Sequence, residues 1–475
     1  MDLSGFRENA HEIVNWICDY YETLESRPVK SRALPGSIKQ QIPDHPPELG
    51  EAFATIWNDF QQIILPGMTH WQHPHFHAYF PANASLPSIL GEMATAALGA
   101  QCMIWDTSPA AAELEEKLMR WLLEAYGLPS SWEGVIQDTA STATLIAILT
   151  AREQVNRWQS NKTGLASSPV FRVYGSTELH SSIDKAIQIA GIGLNNLVRI
   201  PVDNQRALVP ELLEAAIEQD LESGLTPMCV IIALGSTSTL AIDPLAPVAA
   251  ICRKYNIWLH VDAAYAGNAL ILPEYRWMIE GIEGADSFVV NPHKWLFTNF
   301  DLSAYFIKDR EALLRTFSIL PEYLKTETTG LVNDYRDWGI ALGRRFRALK
   351  LWFVLRTFGM AGLRNVLRDQ IRWADWFAEQ VDAHPHMEQV TSHAFNMVCL
   401  HAIHPEWTLN DMNVYTERWL KRINASGRAY LTHTKVNSIY TIRVVLGQTY
   451  LQQHHVQELW SWMVTELADI LDPPV

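Results

Sequence analysis

An α/β fold with a mainly parallel central sheet is expected for this chain, on three observations. First, four short apolar runs recur between helix-periodic stretches: Val170-Phe171-Arg172-Val173-Tyr174, Cys229-Val230-Ile231-Ile232-Ala233, Ile257-Trp258-Leu259-His260-Val261 and Ser287-Phe288-Val289-Val290. Strands covered by helices on both faces read this way, whereas half-exposed strands alternate. Second, each run ends in small, hydroxylic, amide or acidic residues: Gly175-Ser176-Thr177, Gly235-Ser236-Thr237, Asp262 and Asn291. Ligands of such sheets sit beyond the carboxyl ends of the strands, so these run-ends are expected to share one site. Third, 475 residues exceed what one core normally holds, which implies two or three domains.

The elements follow in order. Residues 2–25 read as an amphipathic helix, with Phe6, Ile13, Val14, Ile17 and Tyr20 at helical spacing. Arg27-Pro28-Val29 and Leu34-Pro35-Gly36 interrupt it, and a second helix is expected over about 48–65. The segment Trp71 to Pro81 has no periodicity and too many rings for a solvated loop; such density lines a pocket or an interface. His73, His75 and His77 alternate within it, but the sequence offers no convincing completing ligands, so no metal site is expected. The strand-and-helix alternation begins at about 86. Ser318 to Asp334 is weakly periodic and reads as a mobile loop, and a helix resumes over Arg345–Phe358. Beyond about 361 lies a smaller α+β part with a strand at Ile439–Val445.

Composition narrows the function classes. Hydrophobic residues make up 48% and charged residues 19%, the balance of a well-buried globular enzyme. A net charge of −15 argues against nucleic acid or an anionic membrane as the main partner, and any bound phosphate must be held by local dipoles. The first residues have neither a basic start nor an apolar core, and no apolar run is long enough to span a bilayer. Five scattered cysteines without CxxC spacing fit reduced thiols in the cytoplasm.

The chemistry concentrates at two strand ends. Lys294, in Asn291-Pro292-His293-Lys294-Trp295, follows a buried run, where an ammonium costs free energy unless something uses it. One such use is a Schiff base: a desolvated lysine becomes nucleophilic and can hold the aldehyde of pyridoxal 5′-phosphate (PLP). That cofactor draws in electrons only while its ring nitrogen is protonated, which calls for an acid, and Asp262 is placed to be one. Taken singly, a strand-end lysine is more often solvated and a strand-end aspartate more often forms a turn. Further pieces reverse those odds. Gln137 to Thr144 opens a helix with small hydroxyl residues, an arrangement suited to a phosphate as well as to plain capping. His180, a few residues past another strand, could lay its ring on a cofactor.

With these motifs, and with His73 to Pro81, Glu178 to Lys185, His260 to Gly267 and Leu342 to Arg347, the chain resembles the PLP-dependent aromatic L-amino acid decarboxylases of the group II family over nearly its whole length. The resemblance implies PLP fold type I, aspartate aminotransferase-like, in a homodimer with active sites at the subunit interface. It divides the chain into a helical dimerisation domain (1–85), a large PLP-binding domain (86–360) and a small C-terminal α+β domain (361–475). By position, Lys294 carries the cofactor, Asp262 pairs with the pyridinium, His180 stacks on the ring and Ala264 supports its other face. Thr139, Ala140, Ser141, Asn291 and His293 surround the phosphate, and Thr237 lies near the ring hydroxyl. Tyr323 corresponds to the loop tyrosine that acts as general acid, and Tyr335 is its decoy. Two departures stand out: Ser236 replaces a threonine, and Asp138 puts an acid before the phosphate loop.

The same resemblance sets the substrate. Trp71, Tyr79, Phe80, Pro81 and Ala82 form the aromatic cradle, completed across the dimer by Gln101 and Met103, with Gly343 leaving room for a bulky ring. Tryptophan or 5-hydroxytryptophan is favoured, with phenylalanine, tyrosine and DOPA open. The alternative is an oxygen-dependent aromatic acetaldehyde synthase, but such relatives lack the loop tyrosine or alter the stacking histidine, and Tyr323 and His180 are both present. A glutamate-type decarboxylase would want an arginine where this chain offers rings, and a catalytically dead relative would have lost a group that is intact here.

Overall fold

The computed structural model describes residues 1–319 and 331–471. They form two compact units, one of Ala82–Ala374 with Thr391–Met397 and the other of Met1–Pro81 with Asp375–Val390 and Val398–Val475. The first is built on a sheet of seven strands: β1 (Glu133–Gln137), β2 (Phe171–Ser176), β3 (Leu197–Ile200), β4 (Thr226–Ala233), β5 (Trp258–Asp262), β6 (Ser287–Val290) and β7 (Ser303–Ile307). Their order across the sheet is β1-β7-β6-β5-β4-β2-β3.

The four apolar runs become β2, β4, β5 and β6, which pair in parallel in the order β2-β4-β5-β6. β6 and β7 are buried throughout, which explains their unbroken apolar character. Sequence reading did not find β1, β3 and β7. The first two are short and carry polar residues, and β7 is a five-residue strand that follows the lysine turn without a helix between them to mark it. β7 runs antiparallel to both of its neighbours. Its first residue, Ser303, therefore lies at the edge where β1 and β6 end, with Gln137 opposite Ser303 and Val290 opposite Ala304.

The N-terminal helix spans Leu3–Glu22, capped by Asp2, which accepts from the Gly5 N–H at 2.8 Å. The helix expected over 48–65 is shorter, Phe53–Asp59, and passes into a π-turn (Phe60–Ile64) and a 3₁₀ turn (Leu65–Gly67). Pro46, Pro47 and Gly50 delay its start, and Pro66 prevents an α-helical end. The helix expected over 345–358 continues as Arg347–Ala383, kinked at Gly359, whose φ of 62° only glycine adopts freely.

In the second unit, β8 (Met387–Gln389), β9 (Met397–Ala402), β10 (Thr432–Val436) and β11 (Ile439–Val445) form a sheet in the order β10-β11-β9-β8. β11 is the strand anticipated at 439–445. Helices Leu409–Ser426 and Gln453–Leu471 belong to the same unit, the former started by a Thr408–Asp411 capping box. Among the described residues no helix is long and apolar enough to cross a membrane.

Candidate active site

Five strand ends supply the site. β1 leads into the helix Ala140–Val155, whose N-cap Thr139 accepts weakly from the Thr142 N–H at 3.4 Å. Neither the Ala140 nor the Ser141 N–H meets an acceptor among the described residues, so two first-turn donors face outward with the positive end of a 16-residue helix behind them. Asp138 does not stand free beside them. Its Oδ1 accepts from the Thr139 N–H at 2.6 Å and lies 3.4 Å from the Thr139 hydroxyl.

β5 ends at Asp262. One of its carboxylate oxygens accepts from the Ala264 N–H at 3.1 Å, which fixes the turn after the strand. From Ile257 to Leu272 every residue is buried except Asp262 and Ala264, and within Val289–Phe297 only Lys294 is partly open. Three predicted site residues are thus the exposed points of an otherwise closed wall. The turn after β6 is tied on all sides. The Asn291 N–H donates to the Ala264 carbonyl (3.0 Å), and its side-chain oxygen accepts from Ser303 Oγ (2.7 Å). Its own carbonyl accepts from the Lys294 N–H (2.9 Å) and from Asn268 Nδ2 (3.1 Å). Ser303 Oγ also lies 3.4 Å from the Asp138 carbonyl, which links the Thr139 helix start to the lysine turn.

His293 is buried, and its Nδ1 accepts from the Leu302 N–H at 2.9 Å. Burial, with Lys294 beside it, lowers its pKa to about 3, so the ring is neutral and carries its proton on Nε2. His180 follows β2. Its Nδ1 accepts from the Ser182 N–H (3.2 Å) and meets Ser182 Oγ at 2.8 Å, which again leaves the proton on Nε2. Desolvation lowers its pKa, Asp262 opposes that and Lys294 reinforces it, so these three groups share one electrostatic field. After β4, Gly235 has φ 95°, and a Cβ there would stand 2.6 Å from the Ala266 Cβ. Glycine is required at that point, and Thr237 two residues on is exposed.

Gln101 and Gly343 are drawn together, and Met103, nearby in sequence, is tied to Arg336. Gln101 Oε1 accepts from the Arg344 N–H at 2.7 Å, and the Met103 carbonyl accepts from the Arg336 N–H at 3.0 Å. Ala82, in the same unit, is half-buried. Tyr335 is buried under the Arg344 guanidinium, 4.9 Å above its ring. Burial raises its pKa well above the ordinary phenol value, so it holds its proton tightly. Tyr323, and most of the loop expected at 318–334, lies outside the described residues.

The second unit carries the rest of the aromatic segment. Residues His73 to Ala78 are buried, while Trp71 and Tyr79 are 37% and 48% exposed with their rings stacked at 5.9 Å. The His77 N–H donates to the Tyr430 carbonyl (2.9 Å), and its ring Nδ1 donates to the Val445 carbonyl (3.0 Å). The Arg443 guanidinium lies 5.2 Å from the Phe80 ring, and Pro81 is buried. Glu25, His454 and His455 bring three possible metal-ligating atoms within 4.8 Å of one another, a grouping the sequence did not suggest. His455 Nδ1, however, accepts from the Gln452 N–H (3.0 Å), so Nε2 carries the proton and faces Glu25 at 3.2 Å as a donor, not as a lone pair.

Several supporting residues escaped sequence reading. Asn83 donates from Nδ2 to the Lys294 carbonyl (2.5 Å) and from its backbone to the His293 carbonyl (3.0 Å). His260 bridges Thr144 Oγ1 (3.1 Å) and Ser287 Oγ (2.9 Å), binding the Ala140–Val155 helix to β5 and β6. A buried amide or histidine inside an apolar run is the one signal that could have found them.

The donor set fits PLP: outward N–H groups at a helix start for a phosphate, and a carboxylate and an amine opening from one wall. The pyridoxal-dependent decarboxylase conserved domain matches residues 35–403. Tyrosine decarboxylase 2 of Narcissus pseudonarcissus is 40% identical, over 97% of this chain and 93% of its own length. Phenylacetaldehyde synthase of Arabidopsis thaliana is also 40% identical, over 99% and 97%. The crystal structure of Catharanthus roseus tryptophan decarboxylase in complex with L-tryptophan superposes with a TM-score of 0.93 at 37% identity, covering 99% of each chain.

Proposed function

The chain belongs to the pyridoxal-dependent decarboxylase family, and on that premise we propose that it converts an aromatic L-amino acid to the arylalkylamine and CO2, tryptophan or 5-hydroxytryptophan being favoured and phenylalanine, tyrosine or DOPA accepted. It is a PLP-dependent carboxy-lyase of fold type I. The observation that carries the proposal is the common field of His180, Asp262 and Lys294 on the edge where the helix start leaves two donors open.

Bound PLP supplies a protonated ring that takes up the electron pair left when CO2 departs. Lys294 Nζ would be its covalent anchor. Asp262 would hold the proton at the ring nitrogen, His180 and Ala264 would pack on the ring, and Thr237 would serve the ring hydroxyl. Thr139, Ala140, Ser141, Asn291 and His293 would hold the phosphate, His293 as a neutral donor. Trp71, Tyr79, Phe80, Pro81 and Ala82 cradle the substrate ring, with Gln101, Met103 and Gly343 closing the pocket. Tyr323 then delivers its phenolic proton to the substrate Cα, which makes the product an amine.

The enzyme acts as a homodimer of subunits divided at 1–85, 86–360 and 361–475, in the cytoplasm. Apolar surface supports the dimer: the helix Leu3–Glu22 has no fully buried residue, and Leu86, Leu90 and Met93 present one exposed stripe on the helix Leu86–Leu98. The test is to incubate the PLP-loaded protein with each aromatic amino acid and quantify CO2, amine, aldehyde and peroxide together. Equal CO2 and amine without peroxide is the expected result. Aldehyde with peroxide would overturn the amine assignment in favour of an acetaldehyde synthase, the activity named for the Arabidopsis relative.

A further inference from the structure

A glutamine amide can in general donate or accept, so Gln101 alone does not say which ring substituent it would recognise. The fold removes that freedom. Gln101 Oε1 lies 2.7 Å from the Arg344 backbone nitrogen, which can only donate, so the atom facing it must be the oxygen. Both partners are held. The Gln101 carbonyl accepts from Thr107 Oγ1 (2.8 Å) and Ser108 Oγ (3.1 Å). The Arg344 carbonyl accepts from the Cys102 N–H (2.9 Å), and its guanidinium is bound to Glu115 and to the Ile136 carbonyl, each at 2.7 Å.

The other end of the amide is therefore the –NH2. It stands 3.2 Å from where a Cβ on Gly343 would lie, and it meets no acceptor among the described residues. Gln101 and Gly343 are both exposed, so the two N–H groups look into open space over the glycine.

We infer that Gln101 selects aromatic amino acids bearing a ring hydroxyl, because the open end of its amide offers the substrate ring two donors while the oxygen is turned onto the Arg344 N–H. A ring oxygen can receive one of those hydrogen bonds, whereas an indole N–H finds no acceptor at that open end. Within each ring class the hydroxylated substrate is preferred: tyrosine over phenylalanine, and 5-hydroxytryptophan over tryptophan. The inference rests on the substrate-pocket reading of Gln101 and Gly343 proposed above.

The test is kcat/KM of the holoenzyme for those four amino acids, expressed as two hydroxyl-to-plain ratios. One additional hydrogen bond corresponds to a ratio of about tenfold. In Gln101→Met, which keeps the length and loses the donors, both ratios fall towards one. Gly343→Ala, whose methyl would crowd the amide nitrogen, lowers the tyrosine-to-phenylalanine ratio, and it adds nothing once Gln101 is Met. A merely structural Gln101 would change all four values together and leave the ratios alone. Ratios that are unchanged in both variants overturn the inference while leaving the decarboxylase reading intact. Absence of turnover on all four substrates overturns that reading, and the inference with it.

Discussion

His77 offers a quantitative check on the packing around the aromatic segment, through the substitution His77→Phe. The ring is fully buried. Its Nδ1 donates to the Val445 carbonyl at 3.0 Å, and Nε2 has no hydrogen-bond partner among the described residues. Desolvation lowers its pKa from the ordinary 6.5 to about 3, against the raising effect of the Val445 bond. Below pH 6.5 the unfolded chain therefore takes up a proton that the folded chain refuses. Stability from the neutral ring is present above about pH 6.5 and is lost as pH falls through that window. At pH 5, about 1.5 pH units below the unfolded value, the loss amounts to about 2 kcal/mol, since each unit is worth about 1.4 kcal/mol. Phenylalanine fills the same space and does not titrate, but it forgoes the Val445 bond, worth about 1 kcal/mol. The variant should be slightly less stable than the wild type at pH 7.5 and more stable at pH 5. The difference between the two proteins should move by about 2 kcal/mol across the interval. Urea unfolding at both pH values measures it, and the double difference cancels any constant packing offset. A gap that is the same at both pH values would refute the reasoning.

Four further outcomes are expected. Lys294→Ala should lose the bound cofactor's visible absorbance and all turnover, so retained absorbance would remove Lys294 from its role. Tyr323→Phe should divert product from amine towards aldehyde and peroxide, read in the same product assay; an unchanged amine yield would place the acid elsewhere. Asp138→Asn keeps an acceptor for the Thr139 N–H and removes a charge beside the open helix donors. Cofactor affinity should therefore rise about two- to fivefold in a fluorescence titration, the effect of a partly screened charge. Gly235→Ala forces a methyl against Ala266 at a φ of 95° and should cost about 2–4 kcal/mol, seen as a lower melting temperature.

The parallel strands were legible because burial on both faces leaves a mark that composition alone carries: β2, β4, β5 and β6 are the apolar runs. β1 and β3 left no such mark, since a four- or five-residue strand with charged or polar members is held by its neighbours' ladders and not by its own pattern. The kink at Gly359 was equally hidden, because a single glycine in a helical pattern signals neither a stop nor a bend until φ is known.

In the site, residue identity was legible and orientation was not. Lys294 and Asp262 stood out because charge at the end of an apolar run is anomalous in one dimension. Asp138 stood out differently, as an acid that could repel phosphate where the resembled family often has a small residue, unless its side chain pointed to solvent. Its carboxylate instead takes the Thr139 N–H, a local side-chain-to-backbone bond invisible to spacing. Asn83 and Asn268 hold the lysine turn through backbone carbonyls, contacts that depend on chain path and not on any motif.

The histidines and Gln101 extend the point from position to chemistry. Each of these side chains has two chemically different ends, and a sequence names the side chain without saying which end faces the ligand. In His180 and His293 a backbone N–H occupies Nδ1, so each neutral ring can only donate from Nε2. In Gln101 a backbone N–H holds the oxygen, so the end of the amide left open is the donor end. In all three a main-chain donor whose own geometry is set by the fold turns an ambivalent side chain into a donor. That suits the phosphate oxygens assigned to His293 and the ring hydroxyl inferred for Gln101. The same rule identifies the substitutions that matter: those that shift the main-chain donor, and with it the end of the side chain that faces the ligand.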